Sequence, residues 1–235
     1  MKQIITFTSL FDESILNSPE PSKNHIPEWY KKTKEFTKEN TGPSLEFDKS
    51  LLLNTTIKKC LPVFDAITFG YIAVSDVDIY VDINSNKEQV FIWPSGPGVD
   101  SHLFLQAEKH PEANKKNNFP RWQIPWSVST PNGYSCLFIP PMHRDNVFEI
   151  LPGVVDTDQY PMQLTFPFIM KDKKFKGVIP QGTPIAQIIP FKRDSWKMEF
   201  GNEKMLNTFN KKEQSLSSLF LDRYKRLFWK EKQYD

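Results

Sequence analysis

The sequence predicts a mainly β fold of the α+β class, a jelly-roll-like or barrel-like body with peripheral helices. Three observations lead there. Nineteen Pro stand against 9 Gly, and aromatic residues make up 14%. Proline interrupts helix interiors and inner ladders, so this composition suits many short strands. Short apolar runs recur between turn signals, as in YSCLFI at Tyr134–Ile139. Finally, Leu151–Trp196 orders a Gly-Val-Val-Asp opening, an apolar run and a closing Gly-Thr-Pro-Ile-Ala-Gln-Ile-Ile stretch.

The elements follow in order. Lys2–Leu10 alternates enough for a first strand, and the polar stretch Asn17–His25 reads as loop. Pro27 suits the first position of a short helix, where its missing N–H costs nothing. That helix would run to Phe36 with Trp29 and Phe36 as core anchors, and Thr41-Gly-Pro43 would end it. Thr56–Phe64 reads as a helix or strand ending at Leu61-Pro62. In ITFGYIAVSDVDIYVDI, Val77, Ile79, Val81 and Ile83 alternate with Asp76, Asp78, Tyr80 and Asp82. A period of two with one acidic side predicts a half-exposed strand whose aspartates face solvent rather than a metal. Asn84-Ser-Asn86 turns the chain into a return strand at Gln89–Trp93.

Pro94–Pro120 reads as loop with a short element around Leu103 and Leu105, and Thr130-Pro-Asn-Gly133 is a turn. Tyr134–Ile139, Phe148–Leu151, Gln163–Ile169 and Ile185–Phe191 are strands, with Asp172–Gly177 as a turn. In Ser215–Tyr234, Leu216, Leu219, Phe220, Tyr224, Leu227 and Phe228 recur at helical spacing, opposite a basic face. Residues 1–200 are thus expected to form a single β-rich domain with an N-terminal extension. Residues 201–235 would form a C-terminal amphipathic helix packing on the domain or a neighbouring subunit. Its aromatic, basic surface would also suit a partner or a membrane surface.

Thirty Lys+Arg balance 28 Asp+Glu for a net charge of +2, which makes no case for nucleic-acid or membrane partners. Two cysteines, Cys60 and Cys136, form no paired motif. With no secretory apolar stretch, a cytoplasmic setting is expected. No run reaches the ~18 apolar residues of a membrane span.

Four constellations are candidates for chemistry. Asp156 and Asp158 follow an apolar strand in GVVDTDQYP. A carboxylate there can act as general base if desolvated, or the pair can hold a divalent cation, or both can shape the turn. His143-Arg144-Asp145 resembles the His-x-Asp start of an iron-oxygenase triad, but no His follows it to complete the set. Lys192 and Arg193, with Arg144 upstream, would neutralise phosphates if they met at one mouth. Cys136 sits in an apolar strand and reads as core. No GxxxxGK[ST], GxGxxG, GxSxG or CxxC word occurs. No cofactor or metal site is expected.

Two resemblances rest on these words. TPNGYSCLFIPP, LPGVVDTDQYP and IPQGTPIAQIIPFKRDSW resemble, in that order, an uncharacterised family of tailed phages and bacteria. That implies a phage or prophage origin, and a host-cell cytoplasm if phage-encoded, more than an activity. More distantly, GYSCLFIPPMHR, Gly153-Val-Val-Asp156-Thr-Asp158 and Gly182-Thr-Pro-Ile-Ala-Gln187-Ile resemble three ordered motifs of the dUTPase and dCTP deaminase superfamily. The resemblance implies a β-clip fold and a homotrimer with shared sites, with Asp156 in place of the family's water-activating carboxylate. Mg²⁺ would enter only with a nucleotide chemistry.

The chain departs from that superfamily. Pro141-Met-His-Arg144 stands where a phosphate-contacting Ser is expected, and Gln159 displaces Tyr160 by one position. No Ala-Gly-Tyr-Asp word precedes, and the Ser215–Tyr234 segment replaces a glycine-rich tail. One matching carboxylate without its partners favours a retained fold over a retained reaction. The leading expectation is a structural or binding protein that self-associates. Its rival is a nucleotide enzyme in which Asp156 activates water while Arg144, Lys192 and Arg193 hold phosphates.

Overall fold

The computed structural model describes residues 3–9, 11, 16–37, 54–113, 115, 117–160, 162–216 and 223–235. The fold is mainly β. In chain order the elements are β1 (Thr6–Ser9), β2 (Glu20–Pro21), α1 (Glu28–Lys32), β3 (Phe36–Thr37), β4 (Asn54–Thr55), α2 (Leu61–Thr68) and β5 (Tyr71–Val74). Next come β6 (Ile79–Ile83), β7 (Gln89–Ile92), β8 (Val99–His102), β9 (Phe119–Gln123), β10 (Trp126–Ser129) and β11 (Tyr134–Ile139). Then follow β12 (Phe148–Ile150), β13 (Gly153–Val155), β14 (Thr165–Met170), β15 (Lys176–Ile179), β16 (Pro184–Lys192), α3 (Glu203–Leu216) and α4 (Arg223–Leu227).

Three sheets form the body, ordered β13-β11-β16-β5-β2, β12-β14-β9-β8 and β15-β6-β7, and every pairing is antiparallel. Aromatic rings join them: Phe138 of β11 meets Phe166 of β14 at 5.1 Å between centroids, and Phe91 of β7 meets Phe168 of β14 at 5.7 Å. Trp122 fills the centre against Phe148 and Phe168. At the middle of the five-stranded sheet, five successive residues of β16, Ile185–Ile189, are buried. Both of its sides are therefore covered, and each buried Ile contributes roughly 1.5–3 kcal/mol.

Chain geometry behind β16 is set at Gly70. It has φ +72°, and a Cβ there would lie 2.1 Å from the Ile188 carbonyl oxygen. Only glycine fits both the left-handed backbone and that approach. Its own carbonyl accepts from Ser22 N at 2.9 Å, tying the N-terminal segment to the sheet.

The half-exposed strand is confirmed at β6, where Ile79, Val81 and Ile83 point inward and β7 returns beside it. Its aspartates do more than face water. Asp76 is buried and accepts from Asn17 N at 2.7 Å. Asp78 accepts from Gln181 N at 2.7 Å, and Asp82 pairs with Lys176 at 2.8 Å. Among the described residues no His, Cys, Asp and Glu group is arranged to hold a metal ion.

Several expectations are corrected. α1 ends at Lys32 and Phe36 belongs to β3; Trp29 is 40% exposed, while its neighbour Tyr30, at 3%, is the core residue. A one-turn helix buries one side only, and Tyr30 takes it by packing on Phe64. Leu61-Pro62 begins a helix rather than ending one, since proline is tolerated in a first turn. β8 and the first two residues of β9 lie where loop was expected. Pro120 fits β9 because its partner Ser101 forms a non-hydrogen-bonded pair with it, needing no N–H. The Thr41-Gly-Pro43 stop falls outside the described residues.

The single helix expected over Ser215–Tyr234 is replaced by α3, which starts earlier, and by the short α4; residues 217–222 are outside the described set. Asn202 caps α3, its Oδ1 accepting from Met205 N at 3.0 Å. Beyond Phe228 the chain is not helical, because its end is recruited elsewhere. The chain divides into one unit of Met1–Lys192 with Tyr234–Asp235 and a second of Arg193–Gln233. In the first, the Tyr234 ring packs edge-on to Phe69 and Tyr71 at 5.2 and 5.7 Å, and Lys23 pairs with Asp235 at 3.2 Å. Burial raises the Tyr234 pKa to about 12.

Two measurements check this account. Gly70→Ala should cost more than about 2 kcal/mol in urea unfolding, since it combines a positive φ with a main-chain clash; a loss under about 0.5 kcal/mol would contradict it. Burial holds the Asp76 pKa above its ordinary value, opposed by the Asn17 N–H bond. A raised carboxylate pKa makes the charged form a liability that grows as pH rises through it. Asp76→Asn should therefore melt no lower than the parent at pH 7, with any advantage shrinking as pH falls through the acid range. A large melting loss at pH 7 would show that the charge itself is needed.

Candidate functional site

The site residues expected from sequence lie around β11, and its two neighbours place them. β11 pairs with β13 through Cys136↔Val155 and with β16 through Tyr134↔Lys192 and Ile139↔Gln187. Asp156 and Asp158 therefore leave β13 at the Tyr134 end, close to the β10–β11 turn.

That turn is held by the aspartates. Asp156 Oδ1 accepts from the hydroxyl of Ser135, a fully buried residue, at 2.7 Å, and Asp158 Oδ2 accepts from Gly133 N at 2.8 Å. Gly133 has φ +84°, as the Pro-Asn-Gly turn requires. Between them Thr157 is buried at 2% exposure. Its hydroxyl lies 2.7 Å from that of Thr130 and donates to Cys136 Sγ at 3.4 Å, while its carbonyl accepts from Thr130 N at 3.3 Å. Gln159 N and Tyr160 N both donate to the Asp156 carbonyl at 3.0 Å. Of the three roles open to the pair, shaping the turn is the one these bonds describe. Burial pushes the Cys136 thiol up to about 11, against the Thr157 hydrogen bond, which suits an inert core thiol.

Arg144 lies at the other end of the strand pair. Its guanidinium donates to the His25 carbonyl, and burial lowers its pKa to about 10. Around it the corner Met142–Asp145 is pinned to the N-terminal segment. Trp29 Nε1 donates to the His143 carbonyl at 2.8 Å, where His143 adopts φ +57°. Asp145 pairs with Lys171 at 3.0 Å. His25 has a lowered pKa, first from burial, with Arg144 adding to it and Glu20 opposing. The His143-Arg144-Asp145 word is thus a corner brace.

Ser135, which holds Asp156, and Ile139, which faces Gln187, are four residues apart on β11, about 14 Å at strand spacing. Asp156 and Lys192 share one end of the strand and Arg144 belongs to the other. Lys192 is exposed at the end of β16, and Arg193 begins the second unit. The single mouth required by the phosphate reading does not form from Arg144 and the Asp156 turn. Four clefts lie around β7, β8 and the stretch before β9, and Asp156, Asp158, Arg144 and Lys192 line none of these four.

Sequence reasoning passed over the residue with the most consequential bonds. Gln187, 1% exposed, accepts from Met142 N at 3.0 Å and donates to the Ala66 and Phe69 carbonyls at 2.9 and 2.6 Å. The signal was present: a lone amide inside the apolar run Ile185–Ile189 must find buried partners. Compared with known proteins, the chain matches no protein-family model and no curated sequence.

Gln187→Leu should lose roughly 2–4 kcal/mol, because it removes the amide from Met142 N–H and the Ala66 carbonyl and leaves the Phe69 carbonyl only the Ser22 hydroxyl; an unchanged urea midpoint would contradict the clamp. Asp156→Ala should lower stability by about 1–2 kcal/mol, with Ser135→Ala/Asp156→Ala costing less than the sum of the single changes. A melting temperature that rises in Asp156→Ala would instead fit a carboxylate kept for chemistry.

Proposed function

We propose that this protein has a structural or binding role and self-associates, rather than hydrolysing nucleotides. One observation carries the reading. In the unit Arg193–Gln233, Trp196 is 91% exposed, Met198 80% and Phe200 89%, and in α3 Met205, Leu206 and Phe209 are 63%, 57% and 62% exposed. Large apolar side chains exposed together along one stretch of chain mark a contact surface. The unit begins where the chain leaves β16 at Lys192 and ends before Tyr234, which lies back on the domain. An apolar loop tethered at both feet suits holding a neighbouring copy.

The phage or prophage setting implied by the sequence words, and a trimer if the β-clip resemblance holds, belong to this proposal. The Asp156 turn supports it from the other side, since Asp158 accepts from the Gly133 main chain and Asp156 from the buried Ser135 hydroxyl. No helix of the described residues is long and apolar enough to cross a membrane.

Light scattering coupled to size exclusion tests it. The full chain should run as a defined oligomer, and Trp196→Ser/Phe200→Ser/Phe209→Ser should shift it toward monomer with an unchanged far-ultraviolet spectrum. A parent that stays monomeric at high concentration would sink the assembly claim. A melting shift with millimolar nucleoside triphosphate and Mg²⁺, lost in Asp156→Asn, would instead restore the nucleotide reading.

A further inference from the structure

β7 and β8 follow each other in the chain but do not pair; each is the outer strand of its own sheet. They splay apart at Pro94–Gly98 and leave a cleft of about 450 Å³ between them. Its walls are Gln89, Phe91 and Trp93 on one side and Val99 and Ser101 on the other. The loop that holds the strands apart is braced. Trp93 Nε1 donates to the Gly96 carbonyl at 3.2 Å, and a Cβ on Gly98 would lie 2.5 Å from the indole.

The hydrogen-bond phase shows what faces this cleft. Asn84 N donates to the Glu88 carbonyl, so Asn84 and Glu88 form a hydrogen-bonded pair, as then do Asp82↔Val90 and Tyr80↔Ile92. Gln89 and Phe91 alternate with these and turn their N–H and C=O away from β6. Likewise Gln123 N donates to the Gly98 carbonyl, which puts the groups of Val99 and Ser101 on the side away from β9. Two strand edges therefore border one slot.

One end of the β7 edge is already met by an amide that imitates main chain. Asn117 Oδ1 accepts from Gln89 N at 2.9 Å, and its Nδ2 donates to the Lys87 carbonyl at 2.6 Å. These are the two bonds a neighbouring strand would make. Beyond Asn117 the Gln89 carbonyl and the Phe91 N–H and carbonyl have no partner among the described residues. On β8, Ser101 N is taken by Asp100 Oδ1 at 2.7 Å.

We propose that the slot between β7 and β8 takes a short extended peptide strand of a partner protein, which continues the ladder that Asn117 begins. Outside, β7 carries Val90 and Ile92, 49% and 57% exposed, and Ile92 continues the cross-strand row Val178–Tyr80. An added strand would extend that row, so its outward side chains are β-branched or apolar at alternate positions. The braced Trp93 loop at one end and Asn117 at the other admit a lone strand about as long as the four-residue β7, not the edge of a folded second copy. This site is independent of the self-association proposed above.

The test uses the full-length ¹⁵N-labelled protein and the peptide acetyl-Thr-Val-Thr-Val-Thr-amide, with its N-methylated analogue as control. At millimolar peptide the Phe91 and Val99 amides should shift and their exchange should slow at least tenfold, while the N-methylated peptide does neither. Val90→Lys and Ile92→Lys, exposed changes that leave the fold intact, should weaken binding at least tenfold. The proposal is overturned by the absence of shifts, by equal shifts from the N-methylated peptide, or by a Phe91 amide already protected in dilute peptide-free protein. Protection that appears only as protein concentration and particle mass rise together would assign the edge to a second copy and overturn it too.

Discussion

The side-chain amide of Gln187 ties together three parts of the chain that are distant in sequence. It sits on the central strand of the largest sheet, receives the main chain of the β11–β12 corner and donates twice to the end of α2. Buried amides that bond at both ends are costly to leave half-satisfied, so each partner is held to its place. Gly70 lets the α2–β5 connection come within reach of β16. With α2 fixed, β16 can stay buried on both faces, and β11 can in turn position β13 and the turn beyond it.

The Asp156 turn works by the same logic at the far end of β11. Short polar side chains replace a missing strand: Thr157, Asp156 and Asp158 satisfy Thr130, Ser135 and Gly133. Asp158 fixes the Gly133 main chain and Asp156 the Ser135 side chain, and the cation nearest in sequence, Arg144, braces the opposite end. Among the described residues, the facing edges of β7 and β8 leave main-chain groups unmatched. The Arg193–Gln233 unit exposes Trp196, Met198 and Phe200 most fully of its described apolar side chains. Under the roles proposed above, these two places, rather than the carboxylate turn, are the contact surfaces.

Strand alternation carried most of the fold. The inward Ile79, Val81 and Ile83 follow directly from side-chain period, and the YSCLFI run forms a strand with Ser135, Cys136 and Phe138 buried. Prolines misled where a strand tolerates them: Pro120 sits at a position needing no donor, so the start of β9 hid in a loop-like stretch. Trp29 and Tyr30 are adjacent aromatics, and only the position of Phe64 decides which is buried. The roles of Asp76, Arg144 and Gln187 depend on Asn17, His25 and Ala66, partners distant in sequence. Local pattern can show that a residue such as Gln187 needs a partner, but it does not name the partner. The motif words therefore left open whether the residues they marked act chemically or architecturally.

Native-state hydrogen exchange of individual amides tests the architectural reading most directly. If the Asp156 turn and β16 are one structural unit, the amides of Thr157 and of Ile185–Ile189 should exchange only through global unfolding. Their opening free energies would then equal the stability measured in urea. Exchange at Thr157 through a local opening several kcal/mol cheaper than unfolding, with β16 still protected, would mark a mobile active-site-like loop and contradict the account.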